Sequence, residues 1–236
     1  YLAEASGATA FLCQGEFAEH ARAVAQAVPG LRLLARIGQG DFGSVEVNDL
    51  IEARLGQPLP TADVQRDDPC WFFFTSGTTG RPKAAVLTHG QMAFVMTNHL
   101  CDLMPGTTED DASLVVAPLS HGAGIHLITQ VARAAASILP EGSRFDPDDI
   151  WRLVQHWKVS NMFTVPTIVK MLVEHPTVDA WDHSSLRYVI YAGAPMYRED
   201  QKRALDKLGK VLVQYFGLGE VTGNITVFPP RLHQIE

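Results

Sequence analysis

Short β-rich runs alternate with amphipathic helical stretches along almost all of the 236 residues. That alternation constrains the fold more than any other feature. Parallel neighbours in a sheet need a crossover, usually a helix, so the pattern predicts an α/β protein of mostly parallel sheets flanked by helices. Strands are expected at 9–13, 31–37, 71–74, 84–87, 113–119, 161–165, 187–192 and 210–216. Helices are expected at 16–28, 46–54, 89–103, 123–135, 167–175 and 198–208, with another opening at Asp146-Pro147-Asp148-Asp149. That tetrapeptide supplies a capping acid, a proline for the first turn and negative charge facing the helix dipole. Ile150, Leu153, Val154 and Trp157 then share one helical face. Trp151, Trp157, Met162 and Met171 are expected in the core. The stretch 38–70, with Gly38, Gly40, Gly43, Pro58 and Pro60, reads mostly as loop. With no repeat or low-complexity tract, the whole chain reads as one α/β unit.

Composition narrows the class. Hydrophobic residues make up 46% and charged residues 19%, too apolar for a disordered chain. A formal net charge of −7 without a Lys/Arg cluster argues against nucleic acid as a partner. No apolar run approaches the ~20 residues of a membrane-spanning helix. The chain opens on Tyr1 with no basic-then-apolar leader, so no signal peptide is expected in what it contains. Cys13, Cys70 and Cys101 form no CxxC pair, which fits a reducing, cytoplasmic setting rather than a disulfide scaffold or zinc ribbon.

The densest chemistry lies at residues 75–83, Thr-Ser-Gly-Thr-Thr-Gly-Arg-Pro-Lys, just after an aromatic strand. Glycines let the backbone turn sharply and bring N–H groups close to an anion. Hydroxyls add donors and Lys83 adds a mobile positive charge, which is the inventory for holding a polyphosphate. A GxxxxGK[ST] P-loop does not fit: Lys83 follows Pro82, and Ala84 follows Lys83. A polar turn between strands would explain the small residues but does not require the lysine. His121, in a glycine-rich turn after the strand at 113–119, is placed to point into the crevice where α/β proteins bind ligands. A hydrogen-bonded structural histidine is the alternative. No G-x-S-x-G elbow or HExxH pair occurs.

The string TSGTTGRPKAAVLTHG resembles the phosphate loop of the adenylate-forming (AMP-binding) superfamily, which includes acyl-CoA synthetases and 4-coumarate-CoA ligase-like enzymes. Ala84 stands where that pattern usually has Gly. Pro118-Leu119-Ser120-His121-Gly122 resembles the family's P-x-x-H segment, whose His borders the acyl carboxylate. Ala192-Gly193-Ala194-Pro195 resembles its GGAP turn beside adenine. Tyr215-Phe216-Gly217-Leu218-Gly219-Glu220 resembles its Y-G-x-T-E motif, with Phe216 at the aromatic position and Gly219 where Thr is usual. The missing Thr hydroxyl implies weaker nucleotide binding or compensation by Thr222, which an unchanged ATP affinity of Thr222→Ala would refute.

The resemblance implies ATP-dependent activation of a carboxylic acid to an acyl-adenylate, followed by thioester formation with coenzyme A. Fatty acid metabolism is the corresponding expectation. It implies catalytic roles for Lys83, His121 and Glu220. ATP would be held by Thr75, Ser76, Gly77, Thr78, Thr79, Gly80 and Lys83, and by Gly193, Ala194, Pro195, Phe216, Gly217, Leu218 and Gly219. The acid would be held by His121, Gly122, Ala192 and Gly193, and Mg2+ by Glu220 and Thr75. Residues 1–236 would form part of the large N-terminal domain. The C-terminal catalytic domain would lie beyond them, since family members exceed the ~50–250 residues of one domain. Two other readings stay open: an adenylation unit loading a carrier protein or reductase module, and a nucleotide- or acyl-binding module without catalysis.

Overall fold

A computed structural model of the chain describes all residues except Ser44, 76–79, Ser143, Thr222 and 234–236. It divides into two compact units, residues 1–64 with 74–84, and residues 65–73 with 85–236. The chain therefore passes between them three times. The first crossing lies in the stretch 38–70 read as loop, and the other two fall inside β-rich runs, so the sequence read as a single unit.

The first unit begins with the short helix α1 (Leu2–Ala5), then β1 (Ala10–Gln14), α2 (Ala18–Ala27), β2 (Leu33–Ile37), β3 (Val45–Glu46) and α3 (Val47–Arg54). The three strands form a parallel sheet in the order β1-β2-β3, with α2 as the first crossover. Cys13, Ala21 and Phe42 make its small core. Glu46 caps α3, accepting from the N–H groups of Asn48 and Asp49. Next come β4 (Pro69–Thr75) and β5 (Lys83–Thr88), a separate two-stranded sheet flanking the hydroxyl-rich segment.

The second unit continues with α4 (His89–Asn98), β6 (Ala112–Val115), α5 (Gly122–Ala132), β7 (Ala136–Ile138), α6 (Pro147–Trp157), β8 (Asn161–Thr164), α7 (Pro166–Glu174), β9 (Tyr188–Tyr191), α8 (Arg198–Leu208), β10 (Leu212–Leu218) and β11 (Gly223–Phe228). Its sheet runs β11-β10-β9-β8-β6-β7 and is parallel except for the β10–β11 pair. Strand alternation sorts the side chains onto two faces. Leu114, Met162, Val189 and Leu212 are in register and join Ile150, Trp151, Leu172 and Leu205 in one core. Phe163, Ile190 and Val213, each one residue further, enter a second core with Leu103, Met104 and Ala123. A sheet buried on both faces explains why these strands read as continuous apolar runs.

Local signals hold where chemistry fixes them. Thr88 and Gln91 form a capping box at the start of α4. Asp146 caps α6 through the Asp148 N–H, with Pro147 in the first turn, and Lys158 ends the helix in the left-handed region at φ 49°. Several expectations need correction. The helix expected over 89–103 is α-helical only to Asn98 and then loosens into a π turn, His99–Leu103. The strand expected at 113–119 stops at Val115. Strands β7 and β11 were not anticipated. Trp157 is 50% exposed and Met171 44% exposed, so neither belongs to the core, unlike Trp151 and Met162 at 0%. On α7 the buried face is Val169, Leu172 and Val173, and Met171 falls beside it. On α6 the apolar stripe ends a turn earlier, and Trp157 packs edge-on to the His156 ring at the surface.

Candidate active site

The parallel strands β6, β8, β9 and β10 all deliver their chain to the same edge of the second unit's sheet. Open α/β sheets bind ligands in the crevice beyond the carboxyl ends of their strands. A cavity of about 410 Å³ lies there. After β6 it is lined by Ala117, Pro118 and His121, and after β8 by Val165. After β9 come Ala192 and Gly193, and from β10 and beyond come Tyr215, Gly217, Leu218 and Gly219. Phe73, Gly122, Ala123, Ile125, Phe163 and Gly223 complete the wall.

Sequence folds each part of this wall for a local reason. His121 sits at the N-cap of α5 in extended backbone, its N–H donating to the Pro118 carbonyl at 3.2 Å. Gly122 begins the helix in close contact: a Cβ there would lie 2.6 Å from Phe163 Cζ, so that ring would have to shift. Gly193 turns the chain after β9 at φ +84°, a conformation L side chains rarely adopt. At Gly219 the nearest described atom to a Cβ would be Phe73 Cδ1 at 3.4 Å, an ordinary contact.

Of the residues expected to face the acid, His121, Gly122, Ala192 and Gly193 meet around this one cavity. Gly217, Leu218 and Gly219, expected to face nucleotide, line it as well. Ala194, Pro195 and Glu220 are exposed and lie outside its lining. Phe216 is 59% exposed and also outside the lining, while its neighbour Tyr215 is inside. Sequence reasoning passed over Tyr215, Phe163 and Phe73. The strand period of two could have flagged Tyr215, which shares its side of β10 with Gly217 rather than with Phe216.

In the first unit, Thr75 is half-buried at the end of β4, while Gly80 and Lys83 are exposed. Gly80 has φ +116°, available to glycine alone without strain. Beyond Gly80, the Tyr1 hydroxyl donates to the Pro82 carbonyl at 3.0 Å and the Arg81 guanidinium lies over the Tyr1 ring. Ser76, Gly77, Thr78 and Thr79, and Thr222, lie outside the described residues.

Behind the cavity wall is a buried polar cluster. His126 Nε2 is 2.8 Å from Asn161 Oδ1 and 3.1 Å from Ser113 Oγ. Gln130 Nε2 donates to Asn161 Oδ1 at 3.1 Å. His99 Nδ1 donates to the Val95 carbonyl at 3.1 Å. Among the described residues, His99 Nε2, His126 Nδ1 and Gln130 Oε1 have no partner. Burial pushes His99 down to about 4 and His126 down to about 3, so both stay neutral.

Among the described residues, no group of three or more His, Cys, Asp or Glu side chains is placed to hold a metal ion. A lone exposed carboxylate such as Glu220 suits an ion that takes its other ligands from phosphate oxygens and water, as Mg2+ does. Nor is any helix among the described residues long and apolar enough to cross a membrane.

Comparison with known proteins gives this geometry its relatives. Residues 1–235 match the family model described as AMP-binding enzyme. A feruloyl-CoA synthase from Amycolatopsis sp is 33% identical over 218 residues, covering 92% of this chain and 41% of that protein. The 4-coumarate-CoA ligase 1 of Narcissus pseudonarcissus is 32% identical over 182 residues, covering 76% and 32%. The amide bond synthetase McbA from Marinactinospora thermotolerans superposes with a TM-score of 0.79 at 25% identity, covering 95% of this chain and 43% of that one. The chain thus spans about two fifths, or less, of these two curated relatives.

Proposed function

Because the chain belongs to the AMP-binding enzyme family, we propose that the intact protein is an acid–thiol ligase of the acyl-CoA synthetase type, working in the cytoplasm. On this reading residues 1–236 are part of its N-terminal AMP-binding domain. The observation that carries the reading is the apolar cavity at the carboxyl ends of the parallel strands, with His121 and Gly122 on its wall.

The reaction has two steps. An acid's carboxylate oxygen attacks the α-phosphorus of ATP, and pyrophosphate leaves. The thiol of coenzyme A then attacks the acyl carbon, and AMP leaves. The first step gathers negative charge, so groups fixed in advance to receive it are the main catalytic resource. Lys83 and the hydroxyl and N–H donors from Thr75 to Gly80 would receive the β- and γ-phosphates. Gly193, Ala194, Pro195 and Phe216 would border adenine, and Gly217 to Gly219 the rest of the nucleotide. Glu220 would hold Mg2+, which supplies charge neutralisation when bound. His121, beside the cavity, would orient the carboxylate, while the apolar wall excludes water from the acyl group.

The test is ATP–pyrophosphate exchange by the intact protein across a panel of carboxylic acids, followed by product analysis with coenzyme A. Acid-dependent exchange and a CoA thioester are expected; exchange with no acid tested would refute the ligase and leave a binding module. Residues 1–236 alone are expected to show negligible exchange. A second reading, an amine in place of the thiol, is favoured by the likeness to the amide bond synthetase. Supplying an amine, coenzyme A and a phosphopantetheinyl carrier protein in parallel separates the acceptors.

A further inference from the structure

The turn after β9 has little support of its own. The Ala192 N–H donates to the Thr164 carbonyl at a long 3.4 Å. Among the described residues, Gly193, Ala194, Pro195 and Met196 make no backbone–backbone hydrogen bond. The position of the turn is therefore set by what flanks it. On its far side Met196 packs against the core. On its near side stands Tyr191, the last residue of β9, fully buried and in register with Thr164 and Gln214. The Tyr191 hydroxyl lies 3.1 Å from His233 Nε2. His233 is buried too, and the chain after β11 reaches it through a short turn, Pro230–Leu232. His233 Nδ1 lies 3.1 Å from the Pro229 carbonyl, which can only accept, so Nδ1 carries the proton. Burial holds the imidazole below its usual 6.5 and hence neutral, which leaves Nε2 to accept from the Tyr191 hydroxyl. The Phe228 ring packs on the imidazole, with centroids 4.4 Å apart.

We propose that Tyr191 and His233 are positioning residues for the nucleotide: their hydrogen bond ties the chain after β11 to the end of β9 and so sets the height of the 192–195 turn. The proposal rests on reading that turn as the border of adenine. Neither residue lines the cavity, so each acts through the backbone. Tyr191 packs in the core with Leu114, Val189 and Leu212, on one face of the sheet. Ala192, one residue on, turns to the opposite face and lines the cavity with Gly193. Ladder bonds to β8 and β10 hold β9 within the plane of the sheet. The hydroxyl–imidazole bond holds the end of the strand from the face away from the cavity. The same contact closes a loop in the chain. Glu220 lies between β10 and β11, and His233 brings the chain after that hairpin back to β9. Because both groups are buried, loss of either one orphans the other.

The experiment uses the intact protein, wild type and the variants Tyr191→Phe, His233→Ala and His233→Gln. Affinities for ATP and for pyrophosphate are measured by calorimetry, pyrophosphate serving as a probe of the phosphate end alone. Exchange kinetics give kcat and the KM of ATP and of the acid. Tyr191→Phe keeps the buried ring and loses the hydroxyl. It should weaken ATP about fivefold to tenfold, the worth of one hydrogen bond, and leave pyrophosphate affinity, kcat and the KM of the acid within about twofold. His233→Ala should do the same, and the double variant should be no worse than either single one, since both break one bond. His233→Gln, whose amide oxygen can accept from Tyr191, should recover most of the affinity. ATP affinity unmoved in Tyr191→Phe overturns the proposal, as does a loss shared equally by ATP and pyrophosphate. Should His233→Ala not fold, Tyr191→Phe set against His233→Gln decides in the same way. A wild type that binds no ATP refutes the nucleotide reading of the turn and the proposal with it. A wild type that binds ATP no better than Tyr191→Phe refutes the proposal alone.

Discussion

Lowering the pH from about 7.5 to about 5 is expected to destabilise the second unit by about 4 kcal/mol, through His99 and His126. In the folded protein burial holds them at about 4 and about 3, against the usual value of 6.5. As pH falls below about 6.5 the unfolded chain takes up protons that the folded chain refuses. Full stability is therefore present above that value and is lost progressively toward pH 4. At about pH 5 each imidazole contributes about 2 kcal/mol of that loss, and the combined slope is about 2–3 kcal/mol per pH unit. His233, also lowered by burial, acts in the same direction. The lowered carboxylates Asp111, Asp148 and Asp182 begin below their ordinary value of 3.8 and stay outside this window. The assay is urea unfolding followed by tryptophan fluorescence, since Trp71, Trp151, Trp157 and Trp181 all lie in the second unit. His126→Gln should cut the slope to about half, whatever it does to stability at neutral pH. Stability equal at the two pH values within about 0.5 kcal/mol, or an undiminished slope in His126→Gln, would refute the reasoning.

Three further outcomes are expected. Trp151→Phe removes the 3.1 Å bond from Nε1 to the Leu172 carbonyl and orphans a buried acceptor, at about 1–3 kcal/mol by urea titration; an unchanged midpoint contradicts this. Gly219→Thr should fold with the wild-type melting temperature, because its Cβ meets Phe73 at ordinary contact distance, and should lower the intact protein's KM for ATP several-fold; an unchanged KM shows that the absent hydroxyl costs nothing. Lys83→Ala should reduce kcat/KM for exchange about tenfold to a hundredfold, the loss of a charged hydrogen bond, without moving the melting temperature of this exposed position; equal exchange rates would remove Lys83 from the phosphate assignment.

Much of the fold was legible because the inner strands of the main sheet carry their own apolar runs and the starts of α4 and α6 carry their own caps. The Asp146-Pro147 start and the Thr88 cap depend on neighbours in the chain and are realised as read. What failed depends on distant partners. β7 has three residues, Ala136–Ile138, and becomes a strand only beside β6. β11 leaves Ile225 and Phe228 exposed, shows no clean alternation, and is defined by its antiparallel pairing with β10. Trp157 looked buried because it is large and apolar, but the buried stripe of α6 runs out before the last turn. The same division holds for the candidate site. His121, Gly122 and Gly193 stand in recognisable turns, whereas Phe163 and Tyr215 are apolar strand residues indistinguishable in sequence from core. Only the facing of two strands assigns them to a cavity.

Apolar packing alone would let α5 settle at neighbouring heights on the sheet. The His126–Ser113 and His126–Asn161 contacts, with Gln130 reaching the same Asn161 oxygen, permit one height only. They act as an indexing pin between helix and strands, one turn and more below the helix's first residue. The corner formed by His121 and Gly122 is thus positioned from underneath. A substitution at Asn161 would tilt or slide that corner without touching anything that borders the cavity, so drift at a hidden amide can retune the doorway above it.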